Sequence, residues 1–212
     1  MHELDFPATK KVQRVIPKNS FDNFATPKQK RLFTELVQRI TWTHKISTST
    51  TNLRSENLQE IQFFTVELKK KAPVKELLDL VDRSIPYTIV FTVIYDDEYY
   101  FHTAVKRIHA QDEDKAIIDF TFSNDWSSDR LLTPELKKSI YHTYRDLCRE
   151  LSDFREEAEI TLDNLVKKQR DTNNLRKEIS TLKAAIKKSK SFKEKVDLNQ
   201  RLKVAERDLH RI

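Results

Sequence analysis

The sequence predicts an α+β protein: a small, mostly antiparallel sheet with packed helices, followed by a long C-terminal helical arm that forms a coiled-coil hairpin. Three observations carry this. Segments of β-forming residues with short polar turns fill the first 130 residues, interrupted by two helical patterns. Apolar residues then recur every three to four positions from Leu136 to Ile186 without a proline or glycine. A second set, Leu198, Leu202, Ala205, Leu209 and Ile212, follows with alternating steps of four and three, the heptad spacing of a coiled coil.

In chain order, Ile16-Pro17-Lys18 closes an extended N-terminal segment, since a proline disfavours helical geometry in the residue before it. A short helix is expected at Ser20 to Phe24. Thr26-Pro27 is a helix start, a capping hydroxyl followed by proline at the first helical position. The helix is expected to run through Ile40, with Leu32, Phe33, Leu36, Val37 and Ile40 on one face. Ile40 to Ile46 alternates as a strand, and Ser47 to Asn52 is a hydroxyl-rich loop. Gln59 to Leu68 is apolar on both faces and reads as an inner strand. Pro73 opens a helix through Val81. Tyr87 to Tyr95 is the most apolar strand, and Asp96-Asp97-Glu98 turns the chain into a strand from Tyr99 to Arg107. A turn at Gln111 to Lys115 leads to a last strand, Ala116 to Ser123.

Thr133-Pro134-Glu135 reads as the start of one helix continuing to about Lys188, which divides the chain into domains 1–132 and 133–212. The first arm seam is Leu175, Ile179, Leu182 and Ile186. The second contains Leu198, Leu202 and Leu209 and lies out of phase with it, which a turn at Ser189-Lys190-Ser191 folding the chain back resolves; the alternative is one unbroken helix whose two seams meet different partners.

Composition narrows function. The chain of 212 residues contains no glycine. Phosphate-cradling loops and nucleophile elbows use glycine where backbone approaches a ligand, so glycine-dependent nucleotide folds are disfavoured. One cysteine, Cys148, excludes an intramolecular disulfide and a cysteine-rich zinc site. No apolar run is long enough for a membrane span, and a cytoplasmic protein without cofactor is the expectation. Residues 1–154 balance 23 Lys/Arg against 23 Asp/Glu, whereas residues 155–212 hold 16 and 10, so the arm carries the whole net charge of +6.

No catalytic, cofactor or metal set is assigned. The nearest to one is Glu67-Leu68-Lys69 with Glu56 or Glu60 upstream, an acid-x-lysine pattern in which carboxylates could hold Mg²⁺ and the lysine position water. His102 and His109 flank a strand and read as surface or edge residues. The aromatic and basic strand containing Tyr99, Tyr100, Phe101, Lys106 and Arg107 could stack bases, but packing explains it equally. On the arm, Lys167, Lys168, Arg170, Lys183, Lys187, Lys188, Lys190, Lys193 and Lys195 are candidate nucleic-acid contacts.

Several short blocks occur in a recognisable order: Ile16-Pro17-Lys18, Ile40-Thr41-Trp42 with Lys45-Ile46 and Thr50 to Leu53, Val81 to Tyr87 with Val90-Phe91, and Phe192 to Asn199. Together they resemble the bacterial family called domain of unknown function 4391. The resemblance supplies no catalytic residues. It implies an accessory subunit of a DNA-processing system, of the anti-phage or restriction-modification-like kind, encoded beside a helicase or DNA methyltransferase. The expected role is a non-catalytic adaptor acting through the arm on such a partner or on a second copy. A nucleic-acid-binding subunit is the alternative, and a metal-dependent nuclease a third.

Overall fold

A computed structural model describes residues 11–109, 111–129, 132 and 135–212. The side chains of residues 108–109 and 112–115 are outside the description. The chain forms two compact units, residues 1–158 and 159–212.

The first unit is built on a six-stranded sheet in sequential order: β1 (Lys11–Ile16), β2 (Val37–Ser47), β3 (Glu60–Leu68), β4 (Thr88–Tyr95), β5 (Glu98–His109) and β6 (Asp112–Ser123). All neighbours are antiparallel except β3 and β4, which run parallel with Ile61 opposite Thr88. A parallel pair needs a crossover, and the helix α2 (Lys75–Ser84) supplies it. The sheet is therefore two antiparallel meanders joined by one parallel seam.

Helix α1 (Pro27–Leu36) begins as the sequence predicts. Thr26 accepts from the Gln29 backbone N–H at 3.3 Å, and Gln29 Oε1 accepts from the Thr26 N–H at 2.9 Å, a complete capping box. It stops at Leu36 rather than Ile40, because Val37 and Ile40 turn their apolar side chains into the core from β2. The expected short helix is a 3-10 turn at Lys18–Phe21. Helices α1 and α2 cover one face of the sheet, where Phe33, Leu36, Leu77 and Val81 pack against Phe64, Val66, Phe91 and Val93. Each such burial is worth about 1.5–3 kcal/mol.

Helix α3 (Ile140–Glu150) lies on the opposite face. Ser139 caps it, and Tyr144 donates to the Ala104 carbonyl at 2.8 Å from among the buried side chains Ile140, Leu147 and Cys148. The Ile140 N–H bonds the Arg54 carbonyl at 2.9 Å, and the Ser139 hydroxyl bonds Glu56 at 3.0 Å, fixing its start to the loop before β3.

With no glycine available, positive φ falls on other residues. Gln13 (53°) sits where the β1–β2 register shifts, and Asp96 (53°) sits in the two-residue turn between β4 and β5. Asp tolerates this region better than most residues.

The single helix expected from 134 to 188 is not formed. The helical pattern breaks after Glu150, and α4 (Leu162–Lys188) restarts at the Thr161 cap. The Ser152 hydroxyl donates to the Arg149 carbonyl at 2.8 Å and accepts from the Phe154 N–H at 3.0 Å, replacing helical hydrogen bonds with a local turn. The division between units accordingly falls after Ala158 and not at 132/133, since α3 belongs to the sheet unit. The expected start at Thr133-Pro134 lies outside the described residues.

The second unit is an antiparallel hairpin of α4 and α5 (Phe192–Arg211). Its turn falls at Ser189 to Ser191, where the opposed seam phases placed it. Cross-helix pairs Lys183–Glu206 (2.9 Å) and Arg201–Glu178 (3.9 Å) tie the two helices together.

Candidate interaction surface

Along the hairpin, Leu162, Leu165, Val166 and Leu182 on α4 and Ala205 on α5 are buried, whereas Leu175, Ile179, Ile186, Leu198, Leu202 and Leu209 are all half-buried. Two helices can close only one side of each apolar stripe, so the heptad residues retain water-facing surface. On the side of α5 away from this seam, Val196 and Val204 are 39% and 46% exposed.

The basic residues named from sequence do not form one set. Lys183 is committed to Glu206, and Lys168 is only half exposed, while Lys167, Arg170, Lys187, Lys188, Lys190, Lys193 and Lys195 are exposed. The last five cluster where α4 turns into α5. Ser191 caps α5, and the Ser189 hydroxyl donates to the Glu194 carboxylate at 2.5 Å, a short network that closes the turn without glycine.

In the sheet unit, the acid-x-lysine residues diverge. Glu60 and Glu67 lie at opposite ends of β3, about 23 Å apart along a strand rising ~3.3 Å per residue. Glu60 pairs with Lys45 (2.6 Å) and Glu67 with Arg39 (2.6 Å), while Lys69 donates to the Thr34 carbonyl (2.7 Å). Among the described residues no three His, Cys, Asp or Glu side chains come within reach of a common metal ion. The hydroxyls of Ser47, Ser49, Thr50 and Thr51 are spent locally, with Ser47 and Ser49 sharing a bond (2.8 Å), Thr50 donating to the Lys45 carbonyl (3.0 Å) and Thr51 to that of Ser47 (2.9 Å). Tyr99 and Phe101 are core residues, and Tyr100 packs edge-on against Trp126 at 4.7 Å, so this strand is no base-stacking platform. Cys148 is fully buried and its thiol is pushed up to about 12, leaving it an inert filler.

Two features had no signal in the sequence. Lys106 of β5 is buried against α2, donating to Asp82 Oδ1 (2.9 Å) and to the carbonyls of Asp82 (2.9 Å) and Ile85 (2.8 Å). Burial pushes the Asp82 carboxyl up to about 6, outweighing the pull of Lys106, and pushes the Lys106 ammonium down. His102, expected at the surface, is instead buried beneath α2, 3.9 Å from Asp79, because β5 is an inner strand. Burial brings its imidazole down to about 4, so it is neutral. Nearby, a cavity of about 260 Å³ opens between Val74, Lys75, Tyr100, His102, Asn124 and Trp126. Of its polar groups, Lys75 pairs with Asp79 (2.7 Å) and Asn124 accepts from the Phe101 N–H (2.7 Å), while His102 Nε2 has no hydrogen-bond partner. A helix-packed sheet carries local ion pairs, and a charged two-helix coil carries the unsatisfied apolar surface.

The features define a protein class: an α+β sheet unit followed by a coiled-coil hairpin, with its candidate contacts on the hairpin. The chain belongs to the family described as domain of unknown function (DUF4391), whose model matches residues 4–209. No curated protein and no solved structure matches it. Among the described residues no helix is long and apolar enough to cross a membrane.

Proposed function

We propose that the protein is a non-catalytic accessory subunit of a bacterial DNA-processing system, of the anti-phage or restriction-modification-like kind, and that its hairpin holds the partner. The observation that carries the reading is the half-covered heptad seam. Six of its apolar side chains keep exposed surface that a third helix would cover, and burial at about 25 cal/mol per Å² would drive that contact. The exposed Val196 and Val204 add apolar area on the other side of α5. The setting, and a helicase or DNA methyltransferase of the same operon as partner, rest on the resemblance of the ordered sequence blocks. A second copy of the chain is the other occupant that this seam fits.

Affinity purification of the tagged full chain from its native operon, with mass spectrometry, tests this. Val196→Asp with Val204→Asp places charges on the exposed face without touching the buried seam. The expected result is loss of the co-purifying helicase or methyltransferase, or of dimer in light scattering, with the helical circular dichroism retained. Unchanged assembly in a variant that also carries Ile179→Asp and Leu202→Asp refutes the reading.

A further inference from the structure

The turn of the hairpin combines two features that partner-holding through the seam leaves unused. The nine residues from Lys187 to Lys195 hold five lysines, Lys187, Lys188, Lys190, Lys193 and Lys195, and one acid. All five are exposed. Lys183, one turn earlier, is neutralised by Glu206, whereas none of these five has an ion-pair partner among the described residues. The one acid, Glu194, is drawn into the turn by the Ser189 hydroxyl.

In the midst of these cations stands Phe192, 83% exposed at the first position of α5. The hairpin does not require it. Ser191 already starts the helix, and the seam of α5 is carried by Leu198, Leu202, Ala205 and Leu209. A ring left in water beside five unpaired ammonium groups fits a ligand that is both anionic and flat.

We infer that the hairpin turn binds single-stranded nucleic acid, the lysines following the phosphates and Phe192 stacking on an unpaired base. Three comparisons favour this occupant. Duplex would satisfy the lysines but leave Phe192 without a contact, since paired bases hide their faces. An anionic membrane would be gripped by several apolar side chains, and Phe192 is the one apolar residue between Lys187 and Lys195. An acidic peptide offers charge without a stacking face. Lysines beside an aromatic platform are the recurring elements of sequence-tolerant single-strand binding. The inference stands apart from the adaptor reading, because it uses neither the seam nor Val196 and Val204.

The test is fluorescence anisotropy of labelled oligothymidylate, and of a duplex of equal length, with the full chain across a salt series. Single strand should bind more tightly than duplex, and its log affinity should fall against log salt with a slope of roughly −3, about 0.7 for each of four to five phosphates neutralised. Phe192→Ala should weaken single-strand binding by roughly 5- to 100-fold at every salt concentration and leave the slope unchanged. Lys190→Gln with Lys193→Gln should flatten the slope by about 1.4. All sites are exposed, so circular dichroism should match the parent. The inference is overturned by no binding at low salt, by duplex bound as tightly as single strand with Phe192→Ala silent, or by binding confined to phosphatidylserine vesicles.

Discussion

Replacing Lys106 with methionine tests what the buried ion pair contributes. The substitution keeps much of the side-chain length but removes the charge and three hydrogen bonds, to Asp82 Oδ1 and to the carbonyls of Asp82 and Ile85. Asp82 is then left fully buried, and its second oxygen, Oδ2, has no hydrogen-bond partner even in the parent. It must either stay ionised without compensation or take up a proton. Breaking a buried pair from one side costs about 3–5 kcal/mol, whereas replacing both partners with apolar groups is neutral or stabilising by about 1–4 kcal/mol. Lys106→Met should therefore lose about 3–5 kcal/mol, a large share of the roughly 5–15 kcal/mol of a typical domain. Lys106→Met with Asp82→Leu should recover most of that loss. Urea unfolding at pH 7, followed by tryptophan fluorescence, reads the relevant unit, since Trp42 and Trp126 both lie within residues 1–158. A single variant within about 1 kcal/mol of the parent, or a double variant as unstable as the single, refutes the reasoning.

Other predictions concern titration, capping and the seam. Asp82 has its folded pKa raised from 3.8 to about 6, so its stabilising contribution is complete below about pH 4 and lost as pH rises through 6. His102 has its folded pKa lowered from 6.5 to about 4, so its contribution is present above 6.5 and lost as pH falls through 4. The two oppose each other over one window: His102→Gln should lose about 3 kcal/mol between pH 4 and pH 6, and Asp82→Asn should gain about as much over the same range, at about 1.4 kcal/mol per pKa unit. Parallel urea titrations that slope alike would contradict this. Thr26→Ala should cost about 1 kcal/mol through loss of the α1 cap, visible as a shifted urea midpoint. Leu182→Ala, at a buried point of the hairpin, should cost about 2 kcal/mol or more and lower the helical melting transition monitored at 222 nm.

What could be read from the sequence follows how local the signal is. The Thr26-Pro27 start, the Asp96 turn and the fold-back at Ser189 to Ser191 depend on neighbouring residues, and each stands in the structure where the residues put it. The end of α1 was obscured because Val37 and Ile40 suit both a helical stripe and the inner face of β2. Strand β1 is an edge strand broken by the Gln13 irregularity, and its mostly exposed residues show no alternation to detect. The Leu136 to Leu165 stripe imitates one helix, but its first half is committed to the sheet and the Ser152 turn intervenes. Among site residues, the basic cluster is contiguous and therefore visible, whereas Asp82 and Lys106 stand 24 residues apart and read individually as surface charges. Glu60, Glu67 and Lys69 show the opposite error: near in sequence, they are sent to different partners by the extended strand between them.

The single parallel seam also orders events in time. The pairs β2–β3, β4–β5 and β5–β6 close over 13, 3 and 3 residues, whereas β1 and β2 first meet across 24, from Ile16 to Ile40. β3 and β4 can pair only after the intervening chain, with α2, has crossed over, a closure of 27 residues from Ile61 to Thr88. Non-local pairing of this kind is slow because chain entropy is lost before contacts repay it. Lys106 lies in the later meander and Asp82 on the crossover helix, so their bond forms when α2 packs onto that meander. Its loss should speed unfolding and leave the refolding rate nearly unchanged, which assigns the pair to keeping the assembled sheet shut rather than to bringing it together.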